Sequence, residues 1–229
     1  MATFSATPLL SNCDDAFPSA GIFGYLTLLS GSLATGLAYT AVAATDQLTT
    51  ATAHGLVTGS RLRLVGGVLP TPLLASTDYY AIAISPTVLK LATSLGNAIV
   101  AAAIDLTDAG SGSLTLTEQV LTGTDPLNVL VNKEIAHPSW TVRATIDNLG
   151  SAAVVAGAAE KPVKTITISN TAVTALSYQH YLIIESAAAA ALGSVPAGAG
   201  FVFNSEATVQ SIASGSARPL LLRLRAKNA

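Results

Sequence analysis

A single cysteine, Cys13, occurs in the 229 residues of this chain. That excludes an internal disulfide framework and a cysteine-cluster zinc site. Charge is scarce too: Asp, Glu, Lys and Arg make up 10% of the residues, against roughly 25% in ordinary soluble domains. A surface this poor in charge either relies on Ser and Thr hydroxyls for hydration or is covered by other subunits. Depletion of charge at interface cores favours extensive assembly contacts and a homo-oligomer. Aromatic residues are 5% of the chain, with one Trp and six Tyr. A carbohydrate-binding receptor module, which needs exposed aromatic platforms, is the reading this disfavours.

Other absences narrow the class further. No apolar run reaches the ~18 residues of a spanning helix, and no basic segment followed by an apolar stretch opens the chain as a secretory signal does. A membrane partner is therefore not expected. The formal net charge of -2 argues against general nucleic-acid binding. There is no Gly-x-Ser-x-Gly elbow and no phosphate-cradling loop, since Gly110-Ser111-Gly112-Ser113 lacks a following Lys. The three histidines, His54, His137 and His180, share no metal-ligand spacing. Asp14-Asp15 and Asp105 with Asp108 are the close carboxylate pairs. Calcium needs six to eight oxygens, so the second pair reads better as a polar turn satisfying its own backbone. No catalytic residue, metal or cofactor is expected.

What is present is β structure. Arg61, Arg63 and Val65 alternate with Leu62, Leu64 and Gly66, a period of two that puts leucines on one face and arginines on the other. Val88-Leu89-Lys90-Leu91 and Ser113-Leu114-Thr115-Leu116-Thr117 alternate again, and Tyr79 to Ile84 is an apolar run closed by Ser85-Pro86. Ile22 to Leu29 reads as a buried strand and Tyr181 to Ile184 as one buried on both faces. Trp140 to Ile146 alternates, and Lys164 to Ser169 is rich in β-branched residues. Phe201-Val202-Phe203 and Leu220 to Arg225 close the chain as strands. Ala187 to Ala191 favours helix by propensity but is too short to form one alone. Short strands with Gly and Pro punctuation predict an all-β fold, a sandwich or barrel-like main domain with a small β module inserted in it. Residues 1–45 hold too few strands for a sheet of their own. They are expected to join 119–229 in one discontinuous β domain, with 46–118 as the inserted module; a serial pair of domains is the alternative.

Within that module the order of motifs is specific: His54-Gly55-Leu56-Val57-Thr58-Gly59, Leu69-Pro70-Thr71-Pro72-Leu73, Thr77-Asp78-Tyr79-Tyr80, and Ile104-Asp105-Leu106-Thr107-Asp108-Ala109-Gly110. It resembles a small all-β module that recurs in virion proteins of tailed bacteriophages. The family carries an acidic residue after the Thr-Gly turn, where this chain has Ser60. The resemblance implies a non-enzymatic virion building block, with His54 in a structural turn. It also implies other virion proteins as partners, either the major capsid protein or tail components. A small β protein without shaft repeats suits a capsid decoration (cement) protein; a tail, baseplate or fibre-adaptor component is the rival reading.

Charge is also unevenly placed. No Lys or Arg precedes Arg61, while Arg218, Arg223, Arg225 and Lys227 crowd the C-terminal end. These four are the candidate assembly contacts. Arg223 and Arg225 would share one face of a strand, either docking an acidic neighbour by strand addition or guarding an ordinary edge against aggregation.

Overall fold

The computed structural model describes residues 3–4, 22–31, 33–147, 153–155, 158–160, 164–185, 191–195, 201–222 and 225–227. The chain is all-β, and it divides into two compact units, Ser32–Leu121 and the pair Met1–Gly31 with Thr122–Ala229. It begins with β1 (Thr3–Phe4) and β2 (Ile22–Leu29). Six strands of the middle unit follow: β3 (Leu37–Val42), β4 (Gln47–Thr50), β5 (Arg61–Val68), β6 (Tyr79–Ser85), β7 (Val88–Ala92) and β8 (Ser111–Glu118). A short helix α1 (Leu95–Ile99) lies between the last two. The flanking unit resumes with α2 (Leu127–Val131) and β9 (Ala144–Asp147). It continues through β10 (Ala153–Val155), β11 (Ala158–Glu160), β12 (Lys164–Ser169) and β13 (Leu176–Glu185). It ends with β14 (Phe201–Ile212), β15 (Ala217–Leu222) and β16 (Arg225–Lys227). Among the described residues no helix is long and apolar enough to cross a membrane.

The middle unit is a closed barrel of order β3-β4-β7-β6-β5-β8. Its alternating strands bury one face each: Leu62 and Leu64 of β5, Leu89 and Leu91 of β7, and Leu114 and Leu116 of β8 form one core with Leu48, Tyr39 and Tyr79. Arg61 and Arg63 stand on the other face of β5 and share the Asp78 carboxylate. Full burial of each leucine contributes about 1.5–3 kcal/mol. The Thr-Gly turn before β5 is closed by Ser60. Its N–H donates to the Val57 carbonyl at 3.0 Å and its Oγ accepts from the Val57 N–H at 3.1 Å. A neutral hydroxyl thus caps the turn at the position where the resembling family carries an acid.

One domain boundary differs from the sequence expectation. The barrel begins at Ser32 rather than residue 46, because β3 pairs with both β4 and β8 and supplies the strand that closes the ring. Closure cannot be seen in the alternation of β3 alone, since any strand of that pattern could join either sheet.

In the flanking unit β1-β14-β13-β2-β9 form one sheet, β12-β15 a second and β10-β11-β16 a third. Leu26 and Leu28 of β2, Tyr178, Tyr181 and Ile183 of β13, Ile168 of β12 and Leu220 of β15 meet in a single core. The register of β13 on β14 shifts between Tyr178 and His180. That bulge changes the parity of the strand, so Tyr178 and Tyr181 both reach the same core. A side chain on Gly31 would overlap Gln179, the residue the bulge displaces. Every residue from Tyr181 to Ile184 is buried, as is every one from Tyr25 to Leu29, Thr27 included.

Two strand expectations are corrected. The alternation from Trp140 to Ile146 yields a strand only from Ala144, because Trp140 bridges back to His137 in a turn. The closing strand expected from Leu220 to Arg225 is two strands, β15 on β12 and β16 on β11. Residues 1–20, which Pro8, Pro18, Ser11, Asn12, Asp14 and Asp15 mark as an irregular arm, lie outside the described residues apart from Thr3–Phe4, which pairs with β14; Ala187 to Ala190 lies outside them too.

Candidate functional site

The described C-terminal cations lie on two strands, Arg218 in β15 and Arg225 with Lys227 in β16. Arg218 is half-buried in β15, with its guanidinium 5.9 Å from the Tyr178 ring centroid and an N–H donated to Gln210 Oε1. It serves the flanking unit's own packing. Burial pushes the Tyr178 hydroxyl pKa up, and the Arg218 charge partly opposes that. Arg223 lies outside the described residues. Arg225 and Lys227 lie in β16, where the register sets Arg225 opposite Glu160 and Lys227 opposite Ala158 of the same chain. The register thus pairs Arg225 with a residue 65 positions earlier in the chain, which local sequence could not reveal.

The groups that resemble catalytic or metal-binding side chains are built into turns. His54 is buried, and its Nδ1 accepts from the Leu56 N–H at 3.0 Å. Gly55 between them has φ +64°, a left-handed turn conformation that glycine adopts without strain. Asp108 Oδ1 accepts from the Gly110 N–H at 2.8 Å and the Thr71 N–H at 3.2 Å. Hydrogen bonds from the Thr71 side chain and these amides hold its carboxyl below the usual range. This is the self-satisfied polar turn read from the sequence. His180 Nδ1 lies 2.9 Å from Ser205 Oγ, and its ring stacks on Phe203 with centroids 5.3 Å apart. Burial lowers its pKa. Among the described residues no three His, Cys, Asp or Glu side chains stand close enough to hold a metal ion.

A more developed arrangement surrounds the turn from Ala136 to Thr141. His137 Nδ1 accepts from the Ser139 N–H at 3.1 Å, which places the neutral ring's proton on Nε2, 3.2 Å from Thr174 Oγ1. Ser139 Oγ donates to Asn170 Oδ1 at 2.9 Å and accepts from the amides of Thr171 and Ala172. Asn170, itself buried, donates to the carbonyls of Thr174 and Ile212, both at 2.8 Å. One side chain thus ties the turn to the end of β12 and to β14.

Beside this turn Arg143 forms a two-pronged ion pair with Glu134, Nε to Oε1 at 2.7 Å and Nη2 to Oε2 at 3.1 Å. The two side chains are only 1% and 2% exposed. Arg143 also donates to the Ser194 carbonyl at 2.7 Å, and Glu134 accepts from the Gly193 N–H. The pair therefore clamps the segment 191–195 against the turn. Between them opens a cleft of about 370 Å³ lined by Ala136, His137, Pro138, Trp140, Thr141 and Leu192. Its lining is apolar apart from the His137 ring and the Thr141 hydroxyl. It suits the reception of an apolar group rather than bond-breaking chemistry.

Sequence reasoning missed this cleft and its clamp. The available signal was Arg143 inside an alternating apolar run, a charge with no nearby acid on its own strand. Its partners Glu134 and Ser194 are nine and fifty-one positions away. Comparison with protein families, with curated proteins and with solved structures finds no match to this chain.

Proposed function

We propose that this chain is a non-enzymatic structural protein of a tailed-bacteriophage virion. Within the virion it is a capsid decoration (cement) protein, holding to the major capsid protein and to its own copies. The observation that carries this reading is the ordered set of motifs between His54 and Gly110, the resemblance to the virion β-module. The use made of the polar groups in that segment supports it. His54 Nδ1, Ser60 Oγ and Asp108 Oδ1 each accept from a backbone amide, which is scaffold work. The low charge of the chain supports assembly through uncharged faces.

The test is to look for the chain in purified virions by mass spectrometry and then place it by electron microscopy. Density on the head shell is the expected result. Density on the tail would move the chain to the tail, baseplate or fibre-adaptor class. Absence from virions would remove the reading altogether, as would hydrolysis of peptidoglycan, polysaccharide or ester substrates that His54→Gln, His137→Gln or His180→Gln abolishes.

A further inference from the structure

The flanking unit carries a strap, residues 191–195, that is held against it by a single ion pair. β13 and β14 pair at Ile184 and Phe201, so a turn of about two to five residues would suffice to join them. The connection runs instead over 15 residues, 186–200. Connections of that length between adjacent strands are where lids and binding loops occur. The described part, 191–195, is a turn closed on itself. The Ser194 N–H and Oγ both donate to the Ala191 carbonyl, at 3.1 and 2.5 Å, and Gly193 takes φ +78°. None of these five residues is buried, so little apolar surface holds the strap down.

Among the described residues, every hydrogen bond from the strap to the rest of the unit goes to the Glu134–Arg143 pair. Gly193 donates its N–H to Glu134 Oε2, and the Ser194 carbonyl accepts from Arg143 Nη2 at 2.7 Å. The pair itself is rooted on β2. Glu134 bridges to Leu29, and Ala144, next to Arg143, pairs with Leu26. Leu192 is the strap's one contribution to the lining of the Trp140 cleft. The closed arrangement also carries an opposing term. Arg143 Nη1 and Trp140 Nε1 are buried donors without an acceptor, and such orphans disfavour the state that buries them. Two charge-assisted hydrogen bonds therefore hold the strap against two unmet donors in the segment beneath it. A segment with few buried contacts opens locally, without global unfolding. The geometry points to a latched lid: residues 191–195 open and close as one unit on the Glu134–Arg143 pair while β13 and β14 stay paired. Opening uncovers the two charged side chains, 1% and 2% exposed when closed, and takes Leu192 out of the wall of the cleft. This inference stands apart from the virion reading and survives or fails without it.

The experiment uses the full chain. Amide hydrogen exchange is followed residue by residue at rising urea concentrations below the unfolding transition. The Gly193 and Ser194 amides are expected to exchange through an opening that urea hardly affects. Their exchange should exceed that of Leu182 and Ile183 at least roughly tenfold, and urea should accelerate only the latter two. Gly193→Pro removes the N–H given to Glu134 and forbids the positive φ, so it should hold the strap open. Trp140 is the only tryptophan of the chain and reports this directly. Its emission is expected to shift to the red and its quenching by acrylamide to rise, with an unchanged circular dichroism spectrum and melting temperature. Gly193→Ala keeps the N–H, and a Cβ there meets nothing within 4 Å, so backbone strain acts alone and the shift should be smaller. Exchange of Gly193 and Ser194 with the rate and urea dependence of Ile183 would overturn the inference, since the strap would then open only with the sheet. So would a Trp140 signal that Gly193→Pro leaves unchanged, or a loss of cooperative melting in that variant.

Discussion

The two units solve the same problem, burying alternating strands, by different means. In the barrel each strand has a neighbour on both sides and the ring has no edge. Its core is leucine with Tyr39 and Tyr79, and polar side chains such as His54 and Ser60 serve turns close by in sequence. In the flanking unit the sheets are open, while register shifts occur in both units. A charged pair is sealed inside the structure, and Asn170 joins segments forty residues apart. Closure satisfies the backbone at strand edges by geometry, so apolar alternation suffices for the barrel. Open sheets leave more to particular side chains, and each of those becomes a point of vulnerability.

That contrast predicts where the chain breaks. The largest effect is expected from Glu134→Ala. It leaves Arg143 buried without its counter-charge and frees Gly193, at a cost of about 3–5 kcal/mol. Chemical denaturation should show the loss in the flanking unit, while the barrel, expressed alone as residues 32–121, keeps its own cooperative unfolding. Loss of cooperative folding in the isolated barrel would erase the distinction between the units. Replacing the pair together, with Glu134→Leu and Arg143→Met, should recover a large part of the loss, since no lone charge is then buried.

A smaller effect is expected on the barrel side from Gly66→Ala. Gly66 has φ +103°, and a methyl group there would overlap the Ser113 carbonyl oxygen across β5 and β8. Backbone strain and local separation of the strands should cost on the order of 2–3 kcal/mol. Unfolding of the isolated barrel measures this directly. An unchanged midpoint would mean that the two strands part at this end without cost.

The smallest effect is a pH dependence confined to the flanking unit. Burial lowers the His180 pKa from its ordinary 6.5. Below 6.5 the unfolded chain then binds a proton that the folded chain does not, so stability falls as pH drops from about 7 toward the lowered folded value. The His180→Gln variant should flatten that part of the stability curve. An equal slope in wild type and variant would assign the dependence to another group.

The amino-acid sequence by itself determined the all-β class, four of the barrel's strands (β5, β6, β7 and β8) and the turns at His54, Ser60 and Asp108. Each of these depends on residues a few positions apart: alternation sets a face, and a glycine or short polar side chain sets a turn. The sequence also marked Tyr181–Ile184 as buried on both faces, because an unbroken apolar run leaves no face for water. It did not reveal that β3 closes the barrel, that the closing strand splits into β15 and β16, or that Arg225 stands in register with Glu160. Nor did it reveal the Trp140 cleft, whose walls come from residues 136–141 and Leu192, or the clamp of Arg143 and Glu134 on Gly193 and Ser194. These are pairings across long stretches of chain. A strand's pattern says which side it buries but not which strand lies beside it, and a charge says nothing of its counter-charge until the chain has folded around both.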